Sequence, residues 1–352
     1  MMQTFYRNKR IFLTGNTGFK GAWLALILKS LGAKVYGYSL KPDDFRGNFY
    51  NIIKLENIVD SSIIGDICDL EKLKKAYDDA RPDIVFHLAA QPFVLRSYKD
   101  PIETYKTNII GLANLFEVAR NSEHKSKVIL NVTTDKCYEN KEWSYAYREN
   151  DRLGGHDPYS ASKAMAELLT ASYRKSFFYD NKTVIVTARG GNVIGGGDFG
   201  ENRLIPDFID SIIKNKPLYI RNPYSIRPWQ YILDVLNGYM TLVKKCYETE
   251  EMPYNSFNFG PENINSMNVK NVIDQMMKYL GMGEVNIQDN PLHEAHYLKL
   301  DINLSKDYLN WKPRVNTEKA IELTANWYKS YFLNENMMKK SENEINNYFY
   351  EM

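Results

Sequence analysis

A glycine-rich turn joins the first strand-like segment of the chain to its first helix-like segment. The turn reads Thr14-Gly15-Asn16-Thr17-Gly18-Phe19-Lys20-Gly21, with glycines at positions i, i+3 and i+6. Because glycine has no side chain, these positions allow a tight turn, a close approach of the backbone to a pyrophosphate, and close packing of the helix on the strand. The helix that follows directs its free N–H groups and positive dipole end at the phosphates. An ordinary tight turn is the alternative, but the position between strand and helix favours a dinucleotide site.

Short apolar runs alternate with helix-like segments through the first half of the chain. A predicted helix spans about 21–31, and Gly32 ends it. The predicted strands are Arg10–Thr14, Val35–Tyr38, Asp83–Leu88, Lys127–Val132, Val184–Arg189 and Ser256–Gly260. Strands that alternate with helices are joined by right-handed crossovers into a parallel sheet covered on both faces. The sequence therefore predicts an α/β, doubly wound Rossmann-type fold.

The regular alternation of predicted strands and helices stops after Arg189, where a glycine-rich stretch is followed by prolines at 206, 217, 223 and 228. This pattern is typical of loops and short elements. We expect residues 1–189, together with about 229–260, to form the dinucleotide-binding domain. About 190–228 and 261–335 would form a smaller, mixed substrate lobe. The tail, 336–352, fits either a final amphipathic helix or a frayed end.

Composition excludes several classes of function. A net charge of +2 gives no basic field of the kind that binds nucleic acid. The three cysteines show neither a disulfide framework nor zinc-ligand spacing, which favours a reducing compartment and no metal. The N-terminal stretch has no signal-peptide pattern, and the longest apolar run, 22–28, is too short for a membrane span. We expect a cytoplasmic enzyme with a small-molecule substrate and no membrane partner.

The end of the second strand leaves the choice of cofactor open. A cofactor without a 2′-phosphate is usually held there by an acidic residue, whereas this chain has Ser39 and Lys41. A hydroxyl and a cation would equally suit a 2′-phosphate, so NAD and NADP are both compatible. Asp66, which follows the third strand, is predicted to meet the adenine end; a solvated loop carboxylate is the alternative.

Candidate catalytic residues follow two later elements. Tyr159 and Lys163 are four residues apart near the start of a helix, and so on one face. An unperturbed phenol has a pKa of about 10. A nearby ammonium and the charge of a nicotinamide are predicted to lower that pKa and favour phenolate. Thr134, Asp135 and Lys136 end the preceding strand, at the sheet edge where such folds bind ligands.

These features together resemble the extended short-chain dehydrogenase/reductase superfamily. Further stretches resemble its CDP-glucose 4,6-dehydratase family: 87–92, 135–140, 154–159, 191–198 and 226–230. The Asp135-Lys136 pair is the sharpest marker, since the dTDP-glucose relatives have Asp-Glu there. The resemblance implies cofactor contacts from Gly15, Asn16, Thr17, Gly18, Phe19, Gly21, Ser39, Asp66, Ile67, Leu88, Ala89, Ala90, Tyr159 and Lys163. It implies substrate contacts from Gln91, Asn192, Arg203, Arg221, Arg227 and His296, and packing of His87 behind the cofactor.

The family resemblance also implies a reaction, in which CDP-glucose loses water by internal hydride transfer through bound NAD. The catalytic set would be Thr134, Asp135, Lys136, Tyr159 and Lys163, with Asp135 as general acid. Alternatives are another nucleotide sugar, a 4-epimerase or reductase, and a non-catalytic regulator that has kept the cofactor site. The helices predicted at 101–120 and 161–177 suit core packing or a subunit interface. The resemblance to this family implies a homodimer, with a tetramer as the alternative.

Overall fold

The computed structural model describes residues 2–179, 182–220, 222–249, 252–262, 267–288 and 298–351. Its strands are β1 Arg10–Thr14, β2 Lys34–Ser39, β3 Ser61–Ile64, β4 Ile84–His87, β5 Val128–Thr134, β6 Val184–Gly190, β7 Val193–Ile194, β8 Leu218–Ile220, β9 Ile226–Arg227, β10 Gln230–Tyr231, β11 Ser256–Phe259, β12 Met267–Asn268 and β13 Val285–Ile287. Its helices are α1 Met2–Tyr6, α2 Phe19–Ser30, α3 Phe49–Ile52, α4 Leu70–Ala80, α5 Val94–Lys99, α6 Pro101–Tyr105, α7 Gly111–Asn121, α8 Pro158–Phe177, α9 Leu204–Ile213, α10 Ile232–Glu248, α11 Val269–Leu280, α12 Asn303–Leu309, α13 Thr317–Phe332 and α14 Met337–Asn346.

Seven parallel strands form the central sheet, in the order β11-β6-β5-β4-β1-β2-β3. The doubly wound class is confirmed, and the six predicted strands are β1, β2, β4, β5, β6 and β11. Strand order reverses at β1, which pairs with β2 on one side and β4 on the other. Because ligands of open α/β sheets bind at such a switch point, the carboxyl ends of β1 and β4 mark the expected crevice.

The buried strands alternate their side chains between two apolar layers. Ile11 and Leu13 of β1 pack into one hydrophobic cluster, whereas Phe12 between them packs into a second on the opposite face. The first cluster extends to Trp327 and Tyr328 of α13, so the C-terminal helices share the core of one sheet face. The predicted division into two domains stays a prediction.

Three small strand pairs arrange the chain beyond the sheet. Strand β7 pairs with β10 in parallel, β9 with β12 antiparallel, and β8 with β13 in parallel. The first pairing brings the glycine-rich segment after β6 next to Gln230 and Tyr231, and the second joins 226–227 to 267–268. The glycine-rich segment lies beside the end of β5, where a Cβ on Gly191 would come within 3.4 Å of Asp135.

Two predicted helical stretches differ in detail from the structure. The stretch predicted at 101–120 is helical, but π-helical turns at Lys106–Ile110 separate α6 from α7. The tail, for which two states were open, forms α14 and continues as π-helical turns at Asn347–Glu351. Among the described residues, no helix combines the length and apolarity that crossing a bilayer requires.

Candidate active site

The phosphate turn is held by two glycines that leave no room for side chains. Gly15 has a φ of +78°, and a Cβ on it would lie 2.8 Å from the amide nitrogen of Ala89. A Cβ on Gly21 would lie 2.0 Å from the carbonyl oxygen of Gly15. The turn thus packs directly against both α2 and the end of β4, as predicted from the glycine spacing.

The first turn of α2 is open to an anionic ligand. Its N-cap is the exposed Gly18, which has no side chain to accept hydrogen bonds from the free amides of the first turn. By contrast, α4 is capped by Asp69 and α8 by Asp157. The uncapped amides of Phe19, Lys20 and Gly21 suit a diphosphate, so the turn fits a dinucleotide cofactor.

Short polar contacts surround the residues predicted to contact a cofactor at the ends of β1 and β2. Asn16 donates to the Ser62 hydroxyl at 3.0 Å, and the buried hydroxyls of Thr17 and Ser39 lie 2.8 Å apart. Lys41 is exposed.

The loop after β3 contributes two predicted residues at this end. Asp66 is exposed, and its carboxylate accepts a hydrogen bond of 2.8 Å from the amide of Cys68. Ile67 is buried in the second hydrophobic cluster.

Thr14 ties the end of β4 to the phosphate turn. Its hydroxyl accepts hydrogen bonds from the amides of Leu88 and Ala89, both at 3.2 Å, and lies 2.7 Å from Nδ1 of His87. Burial, and then the charge of Lys163, lower the pKa of His87 to about 3, so the imidazole is neutral. His87 is therefore a buried, neutral partner of Thr14, and the half-buried Leu88, Ala89 and Ala90 follow it in the chain. No cluster of three metal-ligating side chains occurs in the described part of the chain.

The end of β5 forms the acidic part of the site. Asp135 is 1% exposed; its Oδ1 accepts a hydrogen bond of 2.9 Å from the Thr134 hydroxyl and lies 3.5 Å from Nζ of Lys136. Its Oδ2 is buried and has no hydrogen-bond partner among the described residues. A Cβ on Gly191 would lie 3.4 Å from this oxygen. An unpartnered carboxylate oxygen is therefore enclosed beside the glycine-rich segment after β6.

Tyr159 and Lys163 lie in the first turns of α8, facing the end of β5. The Thr134 hydroxyl, which donates to Asp135 at 2.9 Å, is also a neighbour that acts on the Tyr159 phenol. Lys163 is buried and donates to the carbonyl of Val132 at 3.2 Å. The predicted group of Thr134, Asp135, Tyr159 and Lys163 is thus brought together by β5 and α8.

In the protein without a cofactor, the pKa of Tyr159 is raised above its ordinary value. Burial raises it and exceeds the lowering by the hydrogen bond with Thr134; the charge of Asp135 raises it further. Burial also lowers the pKa of Lys163 to about 8. Without the cofactor, desolvation of a phenolate outweighs the charge of Arg203. The predicted lowering, which included the charge of a bound nicotinamide, stays a prediction.

A buried ion pair lies next to the part of α8 that contains Tyr159 and Lys163. Arg189 of β6 donates to Glu167 of α8 at 2.8 Å, and Glu167 also accepts from Thr133 and Thr187. The pair lies one helical turn beyond Lys163. These contacts hold α8 against β5 and β6. They therefore also hold Tyr159 and Lys163 of α8 at a set distance from Thr134 and Asp135 at the end of β5.

The segments after β6 bring some predicted substrate residues to the same edge. The amide of Gln230 donates to the carbonyl of Asn192 at 2.9 Å, and the half-buried Arg227 lies three residues before Gln230. Arg203 pairs with Asp198 at 3.0 Å, and the charge of Arg203 acts on Tyr159.

Of the three other predicted substrate residues, one is engaged by protein groups and two lie outside the described residues. Gln91 is buried and donates to Phe93 and Thr104, while its side-chain oxygen accepts from Phe93. Gln91 thus shapes the loop after β4. Arg221 and His296 lie outside the described residues.

Comparison with known proteins identifies the family. Residues 12–324 match the family model described as GDP-mannose 4,6 dehydratase. The chain belongs to this dehydratase family. A CDP-glucose 4,6-dehydratase from Salmonella typhimurium is 42% identical over 98% of this chain and 98% of its own length. A dTDP-D-glucose 4,6-dehydratase from Dictyostelium discoideum is 29% identical over 96% of this chain and 86% of its own length.

Solved structures share the dehydratase fold at lower identity. A dTDP-glucose 4,6-dehydratase from Bacillus anthracis, in complex with NAD, aligns with a TM-score of 0.75 and 22% identity. The alignment covers 94% of this chain and 99% of that one. An epimerase from Methanothermobacter thermautotrophicus aligns with a TM-score of 0.80 and 24% identity, covering 94% and 95%. These likenesses show that the Rossmann-type fold is common to dehydratases and epimerases.

The dehydratase site also contains residues that sequence reasoning missed. Burial, followed by the charge of Arg203, lowers the pKa of Lys20 in the phosphate turn to about 8, and Asp135 opposes this shift. Asp198 was noticed only as part of a motif, although it is the partner of Arg203. The sequence did contain a signal for Lys20, because it is the one charged residue in the glycine-rich turn.

Proposed function

We propose that the protein converts CDP-glucose to CDP-4-keto-6-deoxyglucose and water, with NAD as a resident cofactor. The observation that carries the proposal is the grouping of Tyr159, Thr134 and Asp135: the Thr134 hydroxyl donates to Asp135 and also acts on the Tyr159 phenol. It sets a phenol suited to alcohol oxidation beside a carboxyl suited to expelling water. The 42% identity to the Salmonella CDP-glucose 4,6-dehydratase supports the same assignment.

The oxidation step is assigned to the phenol. Tyr159, as phenolate, takes the proton of the sugar 4′-hydroxyl, and Thr134 orients that hydroxyl by hydrogen bonding. When bound, NAD would supply the chemistry of accepting and donating a hydride. Lys163 holds the phenolate and the cofactor ribose. Because burial raises the pKa of Tyr159 in the protein alone, its phenolate depends on the positive charges around it.

The elimination step is assigned to the Asp135-Lys136 pair. A ketone at C4′ acidifies the C5′ proton, so a modest base is sufficient to remove it. Asp135 protonates the departing 6′-hydroxyl and Lys136 lies toward C5′. The two side chains are 3.5 Å apart and can share a proton, so they act as one proton-handling unit.

The substrate diphosphate is assigned to the cations of the loops beyond β6. Guanidinium groups match phosphate oxygens in geometry and charge, and Arg227 and Arg203 lie in the segments that close over the site. Asn192 is assigned to the sugar-phosphate region, and Gln91 acts by shaping the loop after β4. Arg221 and His296 remain candidates for the nucleotide.

A 4-epimerase on the same fold is the second candidate, since epimerases share this architecture. Epimerisation requires no acid to expel water, so the buried Asp135 beside Lys136 argues against it. A cofactor-binding regulator is disfavoured because Thr134, Tyr159 and Lys163 are all present and grouped.

We propose a homodimer formed through α6 and α8, with a tetramer as the alternative. Both helices leave large apolar side chains exposed, among them Ile102 of α6 at 71% and Leu168 of α8 at 60%. Leu168→Glu should shift the mass measured by light scattering from dimer to monomer. Leu333→Glu, at a similarly exposed site elsewhere, should not. An unchanged mass for Leu168→Glu contradicts this interface.

We also propose cytoplasmic deoxysugar synthesis for lipopolysaccharide or capsule. The support is chemical: Cys137 and Cys246 are buried free thiols, as expected in a reducing compartment.

A substrate panel tests the proposed activity. The purified protein is incubated separately with CDP-glucose, dTDP-glucose and GDP-mannose, first without added cofactor and then with NAD or NADP. The 4-keto product is followed by its absorbance after alkali. Turnover of CDP-glucose that is sustained or stimulated by NAD supports the proposal. Turnover of another sugar nucleotide alone, or stimulation by NADP alone, contradicts the assigned substrate or cofactor.

A further inference from the structure

Residues 40–48, which join β2 to α3, form a loop that we call the strap. Both ends of the strap are attached to Thr17 of the phosphate turn. The Thr17 hydroxyl donates to the carbonyl of Leu40 at 3.0 Å, and the Asn48 side chain donates to the carbonyl of Thr17 at 3.2 Å. The strap also begins at the end of β2, where this fold holds the adenosine ribose of a dinucleotide. It therefore belongs to the cofactor side of the site.

Arg46 attaches the middle of the strap to α9. Its guanidinium lies 2.5 Å from Oδ1 of Asp207 and 3.5 Å from Oδ2 of Asp210. These two carboxylates are three residues apart on one helix, and so on one face of α9. A planar guanidinium can bind two carboxylates at once, which a lysine ammonium does less well. Arg46 thus joins the strap to a helix more than 150 residues away in the chain.

The strap contacts both ends of the segment 199–203, which leads into α9. Arg203, assigned to the substrate diphosphate, directly precedes this helix. Asp207, the partner of Arg46, also accepts a hydrogen bond of 3.2 Å from the amide of Asn202. At the other end of the segment, Gly47 of the strap packs on Phe199, and a Cβ on Gly47 would lie 3.3 Å from Cδ1 of that ring. The strap therefore links the cofactor turn to a substrate segment.

The attachment of the strap to α9 is mainly electrostatic. The large apolar side chains of the strap, Leu40 and Phe45, are 58% and 86% exposed. The side chains of Arg46, Asp207 and Asp210 are 23%, 32% and 15% exposed. Ion pairs that retain this much contact with solvent contribute little to the stability of a folded protein. The same contacts can nevertheless hold two ligand-binding segments in one relative position.

We propose that Arg46 is a positioning residue that couples cofactor binding to nucleotide-sugar binding. A phosphate turn that is fixed by a dinucleotide also fixes the strap through Thr17. The Arg46 contacts then hold α9, and with it Arg203, where the substrate diphosphate is received. Because such coupling is reciprocal, each ligand should tighten the other by the same factor. This inference rests on the proposed function, which supplies both ligands.

The coupling factor is measured as the ratio of two dissociation constants for NAD, one without CDP and one with saturating CDP. Calorimetry on protein freed of bound nucleotide by charcoal gives both values without turnover. Arg46→Gln and Asp207→Asn, singly and combined, form a double-mutant cycle. Arg120→Gln is the matched control, because the ion pair of Arg120 with Glu117 lies within α7. Melting temperatures verify that each variant is folded.

In the native protein and in Arg120→Gln, CDP should tighten NAD by at least about fivefold. Arg46→Gln should reduce this factor below about twofold, and Asp207→Asn should lower it in the native protein but not further in Arg46→Gln. A native protein that binds both ligands without coupling overturns the proposal, as does folded Arg46→Gln with the native factor. Failure of the native protein to bind NAD or CDP instead overturns the proposed function.

Discussion

The hydroxyl of Thr134 donates a hydrogen bond of 2.9 Å to Oδ1 of Asp135. The same threonine acts on the phenol of Tyr159, so it lies beside both the group assigned to oxidation and the group assigned to elimination. The three side chains come from the end of β5 and the start of α8. Their common position explains how one small site can act on both C4′ and C6′ of a hexose.

Asp135→Asn should separate the two halves of the reaction. The amide still accepts the hydrogen bond of Thr134 but cannot supply the proton for the departing hydroxyl. We expect oxidation at C4′ to proceed, reduced cofactor to accumulate and the dehydrated product to fall by about 10²- to 10⁴-fold. Nicotinamide absorbance and product mass measure the two effects. Asp151→Asn, in a surface turn, is the control; undiminished water loss in Asp135→Asn contradicts its role as acid.

Tyr159→Phe should abolish turnover of every sugar nucleotide. The ring is kept, but no group remains to take the 4′-hydroxyl proton, so we expect turnover to fall by about 10²- to 10⁴-fold. Removing the phenol oxygen should change the free energy of unfolding by only about 1 kcal/mol. Steady-state kinetics and denaturant unfolding are the measurements. Residual activity within tenfold of the native protein would refute the assignment.

Two glycines of the phosphate turn should respond differently to alanine. A Cβ on Gly21 would lie 2.0 Å from the Gly15 carbonyl oxygen, so Gly21→Ala should lower the free energy of unfolding by about 1–3 kcal/mol. A Cβ on Gly18 would be 3.4 Å from the same oxygen. Gly18→Ala should therefore fold normally but bind the dinucleotide more weakly. Denaturant unfolding and cofactor titration distinguish them; equal unfolding free energies would disprove this account of the turn.

The C-terminal helix should make stability depend on pH. Glu344 of α14 accepts a hydrogen bond from Tyr231, and burial raises the pKa of Glu344 from 4.5 to about 7. Because the folded state binds this proton more tightly than the unfolded state, stability should decline as pH rises from about 4.5 to 7. The loss should reach up to about 3 kcal/mol. Burial also raises the pKa of Asp234, to about 6, which adds a smaller decline of the same sign.

Glu344→Gln should flatten this pH dependence, because an amide still accepts from Tyr231 and has no proton to lose. Melting temperatures across this pH range are the measurement, and the variant should melt higher than the native protein above pH 7. Glu342→Gln, on the exposed face of the same helix, is the control. An unchanged slope in Glu344→Gln would show that Glu344 is not the titrating group.

The sheet and the phosphate turn could be predicted because their signals are local. A run such as Ile11-Phe12-Leu13 is buried on both faces, and glycines at 15, 18 and 21 are required by contacts within one strand–turn–helix unit. The grouping of Thr134 with Tyr159 could also be predicted, since parallel strands and their following helices share one sheet edge.

The charges of the site could not be predicted in the same way. The pKa of Tyr159 depends on how deeply its phenol is buried, which follows from the packing of segments far apart in the chain. Lys20 was missed because its neighbours, Asp135 and Arg203, are more than 100 residues away. Gln91 was assigned to the substrate, but its partners Phe93 and Thr104 become visible only once the loop after β4 is folded.

The central claim is that one hydride leaves C4′ and returns to C6′ within a single active site. CDP-glucose carrying deuterium at C4′ tests it most directly, with the product examined by mass spectrometry and NMR. The account predicts a 4-keto-6-deoxy product that retains the deuterium in its new methyl group. A product whose deuterium has been lost to solvent, or labelled substrate recovered intact as its 4-epimer, would contradict it.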